Sequence, residues 1–325
     1  MNPELFLADV LSAPERLGRT LDAYDVSDGP LEPLGAASYE RIVLLGMGSS
    51  RFAALTAAAL LRSRGVAAWA EYASTPTPTP PAAGTLVVGI SASGTTAETV
   101  AALERHAGRS TTVAVTNVPG SAIEGAADVV LPLHSGPEDG GVACVSFQAT
   151  LAVLFLLAGR VGGGAGPGVA DLRPAVELAG SLRDGRGAWL DEVGALVAGG
   201  ELTQVVAPAH RISSALQSAL MLREGPRLSA AAAETGDWLH VDVYLTKRPG
   251  YRTLLYTGSA FDGGVLEWAT SRSSPLVTIG EPRPGAAAHV PLPAATDAVQ
   301  ALVETGVAEL VAAHLWSAAG GLRTT

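Results

Sequence analysis

The sequence predicts an α/β protein made of two tandem, doubly wound parallel-sheet subdomains, each a three-layer sandwich of helices about a sheet. Three observations carry that prediction. Short apolar runs of strand length alternate with amphipathic segments of helix length. Turns rich in glycine or hydroxyl residues join run to helix. The same order then recurs after a glycine-rich boundary, and aligning Gly46 with Pro208 and Ser91 with Ser259 gives nearly the same offset, the mark of a diverged duplication. A chain of 325 residues is also too long for one typical core. The expected division is a helical lead over 1–26, a first sheet domain over 27–161, a linker and helix over 162–190, and a second sheet domain over 191–325.

The elements follow in order. Leu7, Val10 and Leu11 share one helical face, and Ser12-Ala13-Pro14-Glu15 forms a capping box that restarts a helix through Leu17, Leu21 and Tyr24. Arg41 to Leu45 reads as a buried strand ending in Gly46-Met47-Gly48-Ser49-Ser50. The helix after it turns Phe52, Leu55, Ala59 and Leu60 inward and closes at Gly65. A second strand near Val66 to Tyr72 leads into Thr75 to Pro81, where alternating threonine and proline favour an extended spacer. Thr85 to Ile90 is an unbroken apolar run, as in a central parallel strand covered on both faces. A helix then runs to about Ala107, followed by strands at Thr111 to Thr116 and Asp128 to Pro132 and a long apolar helix from Ser146 to Ala158. Gly162 to Gly168 marks the boundary. Beyond it come a strand at Leu202 to Ala207, a helix at Arg211 to Arg223, strands at Arg252 to Tyr256 and Leu276 to Ile279, and a closing helix from Thr296 to Trp316.

Composition removes several classes of function. The net charge of −10 opposes a nucleic-acid backbone, and no basic patch offsets it, so a small molecule is the expected partner. The apolar stretch Ala149 to Ala158 is about half of what a bilayer crossing needs, and Met1 to Val10 carries Glu4 and Asp9 without a basic residue, so neither a membrane span nor a secretory signal is expected. A cytoplasmic location follows. Cys144 is the one cysteine and reads as a small core residue, and the six histidines lack metal-ligand spacing, so no disulfide, metal or cofactor is expected. Lys247 is the one lysine, set beside Arg248 and Pro249 in a loop, which leaves little scope for amine chemistry.

The turn Ser91-Ala92-Ser93-Gly94-Thr95-Thr96 is the most informative segment. A phosphate monoester needs several donors converging on three oxygens, and a hydroxyl-rich turn at a helix N-terminus offers hydroxyls, free N–H groups and the positive helix end. Ser91, Ser93, Thr95 and Thr96 fit that need, and Gly94 permits close approach of the backbone. Helix capping is the competing reading, since Thr95-Thr96-Ala97-Glu98 is itself a capping box, yet capping needs one hydroxyl rather than four. The earlier turn, Gly46 to Arg51, invites a dinucleotide reading with Glu71 near the ribose-binding position, but Arg51 stands where a third glycine belongs.

In order along the chain these motifs resemble the SIS (sugar isomerase) family, whose members include the isomerase half of glucosamine-6-phosphate synthase, glucosamine-6-phosphate deaminases and sugar-phosphate isomerases. Phe6 to Leu21 resembles the family's helical lead, Gly46-Met47-Gly48-Ser49-Ser50 its first turn, and Ser91 to Glu98 its phosphate loop. Gly136-Pro137-Glu138 is similar to its Gly-Pro-Glu loop, and Ala215 to Glu224 to its catalytic helix. The resemblance implies flavodoxin-like subdomains and a phosphosugar ligand. It implies that Ser50, Ser91, Ser93 and Thr96 bind the phosphate with Ser49 nearby, that Glu138 lines the pocket, and that Glu224 moves a proton between C1 and C2. It further implies a homodimer with a shared active site, in which His240 assists ring opening from the neighbouring subunit.

The sequence also departs from the family. Val145 replaces a common lysine, Gln217 replaces a glutamate in the catalytic helix, and Ala92 stands where the synthase is polar. The ending Gly320 to Thr325 lacks the synthase's lysine-bearing tail, and no glutaminase nucleophile precedes the first repeat, so glutamine-driven amination is not expected. Aldose–ketose isomerisation or amino-sugar-phosphate deamination is the first expectation. A non-catalytic sugar-phosphate sensor is the second.

Overall fold

The computed structural model describes residues 1–26, 29–35, 38–161 and 166–319. Gly162 to Ala165 of the expected boundary and the ending Gly320 to Thr325 lie outside the described residues. The chain forms two compact units. One holds Ala13–Pro137 with Val145–Val176; the other holds Met1–Ser12, Glu138–Cys144 and the chain from Glu177 onward.

The two expected N-terminal helices fall in different units. Helix α1 (Pro3–Leu11) is capped by Asn2, whose Oδ1 accepts from the N–H of Glu4 at 2.9 Å and of Leu5 at 3.1 Å. Helix α2 (Ala13–Tyr24) starts the first unit. That unit continues through β1 (Arg41–Gly46), α3 (Gly48–Ser63), β2 (Ala68–Tyr72), β3 (Thr85–Ile90), α4 (Ala97–Glu104), β4 (Thr111–Thr116), β5 (Val129–Pro132), α5 (Val145–Val161) and α6 (Val169–Leu172). Its five strands pair in parallel in the order β2-β1-β3-β4-β5, with Leu45 beside Gly89 and Gly46 beside Tyr72. Every residue of β3 is buried, as its apolar run requires. Val43, Leu45, Val87, Leu103, Ala114 and Ile123 form the core on one face.

The second unit takes α7 (Pro174–Asp184) from Glu177, then α8 (Leu190–Ala198), β6 (Leu202–Ala207), α9 (Ile212–Glu224), β7 (Ala230–Glu234), α10 (Thr235–Trp238), β8 (Tyr251–Tyr256), α11 (Asp262–Ser271), β9 (Leu276–Gly280), β10 (Ala288–Pro291), α12 (Asp297–Val303) and α13 (Thr305–Ala318). Its sheet order is β10-β9-β8-β6-β7, all parallel. Counting strands from β6, this is the order of the first sheet. The duplication is therefore visible as topology, and both halves are doubly wound, flavodoxin-like sheets.

Two edge strands and one break differ from the sequence reading. Strand β7 is Ala-Ala-Ala-Ala-Glu, with no β-branched residue to announce it; pairing with β6 makes it a strand. Strand β10 is short and carries a histidine and a proline. The expected closing helix is divided at Glu304, which is buried. The stretch Asp297–Ala318 is long and apolar enough to cross a membrane by length and composition, yet 72% of its apolar 18-residue window is buried within the protein.

Candidate functional site

In an open parallel sheet the strand order reverses at one place, and a crevice opens there beyond the carboxyl ends of two strands. In the first unit the reversal falls between β1 and β3. The turns after these strands are Gly46 to Ser50 and Ser91 to Thr96, so topology brings the two hydroxyl-rich turns to one crevice.

The Ser91 turn is already formed. The N–H of Ser91 donates to Val115 O at 3.0 Å, that of Gly94 to Ser91 O at 2.9 Å, and that of Ile123 to Gly94 O at 2.9 Å. The Ser91 hydroxyl, buried, lies 2.9 Å from that of Thr96 and 3.5 Å from that of Ser93. Ser93 Oγ also accepts from the Thr95 N–H at 3.3 Å and the Thr95 hydroxyl at 3.1 Å. Gly94 has φ of +67°, and a Cβ there would fall 1.9 Å from Ser121 Oγ. Only glycine fits.

Thr96 is the N-cap of α4, but its side chain makes no capping bond. Its hydroxyl turns to Ser91 instead, and the first N–H groups of α4 stay free of a side-chain acceptor. The capping-box reading therefore fails here, and what remains is a cluster of hydroxyls facing an uncapped helix end. That arrangement suits an anion.

Ser49 and Ser50 lie in the first turn of α3, whose N-cap, Met47, also makes no side-chain capping bond. Gly48 has φ of +49°. Glu71, the acid of the dinucleotide reading, is engaged elsewhere: it accepts from the Trp69 indole at 2.9 Å and from both the hydroxyl and the N–H of Thr79. Its role is to hold the threonine–proline spacer against β2.

The expected proton-transfer residues belong to the second unit. Glu224 ends α9 and is half-buried. Burial pushes its carboxyl above the ordinary glutamate value; Arg227 and Arg223 oppose the rise and the Glu138 carboxylate adds to it. Glu138 accepts the Cys144 N–H at 2.7 Å. The segment Glu138–Cys144 is held by its neighbours: Gly140 N–H donates to the buried Asp9 carboxylate at 2.8 Å, and Gln217 Nε2 donates to Ala143 O at 2.7 Å. A glutamate at position 217 would offer no such donor when ionised, so the departure from the family at Gln217 has a structural use. His240 follows α10 in an exposed turn, its backbone N–H donating to Asp237 O at 2.9 Å. Cys144 is buried, as expected of a core residue.

One acid was not legible as special. Glu309 of α13 is fully buried, and burial together with the Glu138 carboxylate pushes its pKa up to about 8 against the opposing effect of Thr305. In sequence it is one glutamate in an apolar helix. Only its packing makes it a neutral acid at pH 7.

The reversal point of the second sheet, between β6 and β8, is built differently. Arg211 is buried there, bonded to Glu304 at 2.5 Å and to Thr257 O at 2.6 Å. The buried Asp262 carboxylate accepts the Gly258 N–H at 2.7 Å, and Arg283 lies 3.8 Å from it. The protein's own carboxylate thus takes the place an anion would take.

Residues 37–160 match the SIS domain family model. The chain carries a SIS domain and is homologous to the isomerase half of glucosamine-fructose-6-phosphate aminotransferase. It is 29% identical over 272 residues to the glutamine–fructose-6-phosphate aminotransferase (isomerizing) of Aeropyrum pernix, covering 79% of this chain and 44% of that protein. The Aquifex aeolicus protein of the same name is 31% identical over 158 residues, covering 47% of this chain and 26% of that one. The chain thus spans less than half the length of these relatives. Among solved structures, the C-terminal domain of glucosamine-fructose-6-phosphate aminotransferase from Francisella tularensis has a TM-score of 0.86 at 19% identity, covering 97% of this chain and 96% of that one. Tagatose-6-phosphate ketose/aldose isomerase from Escherichia coli has a TM-score of 0.81 at 18% identity, covering 97% and 93%. Glucosamine-6-phosphate deaminase from Thermotoga maritima has a TM-score of 0.76 at 17% identity, covering 98% and 95%. At these identities the likeness is one of fold.

Proposed function

We propose that the protein binds a phosphosugar and interconverts its aldose and ketose forms by moving a proton between C1 and C2. One observation carries the reading: the Thr96 hydroxyl is bonded to Ser91 and not to α4, which keeps a helix end and four hydroxyls for a phosphate. Ser49, Ser50, Ser91, Ser93, Thr95 and Thr96 are the proposed phosphate donors, with Gly94 shaping the turn.

Glu224 is the proposed base. In its ionised form it takes the proton from C2 of an open-chain aldose, leaving a cis-enediolate, and returns it to C1 while the hydroxyl proton of O2 passes to O1, giving the ketose. A carboxyl raised by burial is the stronger base for the first stroke and, once protonated, is the acid of the second. Glu138, through its charge, tunes that base, and His240 is proposed to protonate the ring oxygen during ring opening, from the partner subunit of a homodimer. The reaction is redox-neutral and draws on a carboxylate and an imidazole. With an amino group at C2 the same proton transfer gives a C2 imine, which water hydrolyses to the ketose and ammonia. A cytoplasmic location suits a phosphorylated metabolite.

The test is exchange of a C1 proton of fructose 6-phosphate and of the C2 proton of glucosamine 6-phosphate in deuterated water. Exchange is expected for one of them and should fall 100-fold or more in Glu224→Gln. Binding of hexose and pentose phosphates without any exchange would overturn the enzyme reading in favour of a sensor, which the replacement at Val145 would then explain.

A further inference from the structure

Arg51 is left over from the phosphate turns. It follows Ser50 in the first turn of α3, where the helix dipole presents positive charge and disfavours a cation. No acid compensates for this. Among the described residues Arg51 has no ion pair, its Nε is buried without a hydrogen-bond partner, and the nearby Glu71 is taken by Trp69 and Thr79. Its guanidinium instead rests on an aromatic ring, with Cζ 3.7 Å from the centroid of Tyr72. Tyr72 ends β2, pairs with Gly46 and is 53% exposed. Other arginines of the chain have a hydrogen-bonding partner, an acid for Arg173, Arg211 and Arg248, and a carbonyl or hydroxyl oxygen for Arg41, Arg62, Arg252 and Arg272. A cation at the wrong end of a helix, held by a half-exposed tyrosine and not by an acid, breaks a local rule, and such places mark function.

Position then says what the cation is for. The sheet order β2-β1-β3 sets Tyr72 on the far side of β1 from the Ser91 turn, about 10 Å away at two strand spacings. One phosphate group cannot touch both. We propose that Arg51, held by Tyr72, receives a second anionic group of the ligand, so that the preferred ligand is a phosphosugar bearing a further carboxylate or phosphate. The proposal rests on the phosphate reading of the Ser91 turn. Arginine suits either oxyanion through paired N–H donors.

The experiment is calorimetric titration of the full chain with inorganic phosphate, fructose 6-phosphate, 6-phosphogluconate and fructose 1,6-bisphosphate at low salt. One of the two-acid ligands is expected to bind at least tenfold tighter than fructose 6-phosphate, the carboxylate and bisphosphate arms telling which acid is read. In Arg51→Gln that advantage should shrink below threefold, and Tyr72→Leu should weaken it by freeing the guanidinium. Raising the salt should reduce it as well. Equal affinity of the wild type for one-acid and two-acid ligands would overturn the proposal, as would an equal loss for all four ligands in Arg51→Gln, which would make Arg51 an ordinary phosphate donor. If even inorganic phosphate and fructose 6-phosphate fail to bind the wild type, the phosphate reading itself falls.

Discussion

The two sheets share one strand order and differ at the point where that order reverses. At β1/β3 the turns carry uncharged hydroxyls, a positive-φ glycine and a helix end that no side chain caps. At β6/β8 the same place is filled by Arg211, paired with Glu304 and bonded to Thr257 O, and by Asp262, which accepts the Gly258 N–H. A duplicated fold supplies two crevices of equal geometry. The side chains differ: one crevice carries the hydroxyls proposed to hold a phosphate, while the other is occupied by internal charge.

Breaking the closed crevice should have the largest effect. Arg211→Met leaves Glu304 buried without its partner and is expected to cost about 3–5 kcal/mol in urea denaturation, while phosphate binding at the first crevice is kept. A loss below about 1 kcal/mol would mean that the pair contributes little. The buried acids give a pH dependence of known sign. Glu309, near 8, and Glu304, near 7, both hold their proton more tightly when folded than when unfolded, mainly through burial. Their contribution is present below the ordinary glutamate value and is lost as pH rises through 7 and 8, so stability should fall over pH 5 to 8 by on the order of a few kcal/mol. Glu309→Gln should flatten that slope in melts across the range.

On the open side, Gly94→Ala places a methyl group against Ser121 at a positive φ. A cost of about 2 kcal/mol is expected, with loss of the rise in Tm that phosphate brings to the wild type. Ser91→Ala is the mildest change. It removes one donor to a charged ligand and should weaken fructose 6-phosphate binding about tenfold, with little change in the melt without ligand. If Ser259→Ala in the second repeat weakened binding as much as Ser91→Ala, the distinction between the crevices would collapse.

Much of the fold was legible because parallel strands buried on both faces read as continuous apolar runs. Thr85–Ile90, Thr111–Thr116 and Leu202–Ala207 begin and end where their composition predicts. The edge strands β7 and β10 were not, since a strand held by one neighbour needs no apolar signature of its own. The Ser91 turn was legible because hydroxyls, glycine and helix start are adjacent in the chain, and four hydroxyls in six residues favoured an anion over simple capping; that capping does not occupy the Thr96 hydroxyl was not legible. It shows only in where the Thr96 hydroxyl points.

By itself, then, the sequence determined the alternation of strand and helix, the duplicated order and the turn chemistry, all of which are properties of neighbours along the chain. Tertiary structure alone decided that α1 and Glu138–Cys144 join the unit that carries Glu224, that Glu309 is a buried neutral acid, that Arg51 lies on Tyr72, and that Asp262 and Arg211 close the second crevice. The reason is the same each time. A charge takes its meaning from the groups and the dielectric around it, and those are set by residues tens to hundreds of positions away.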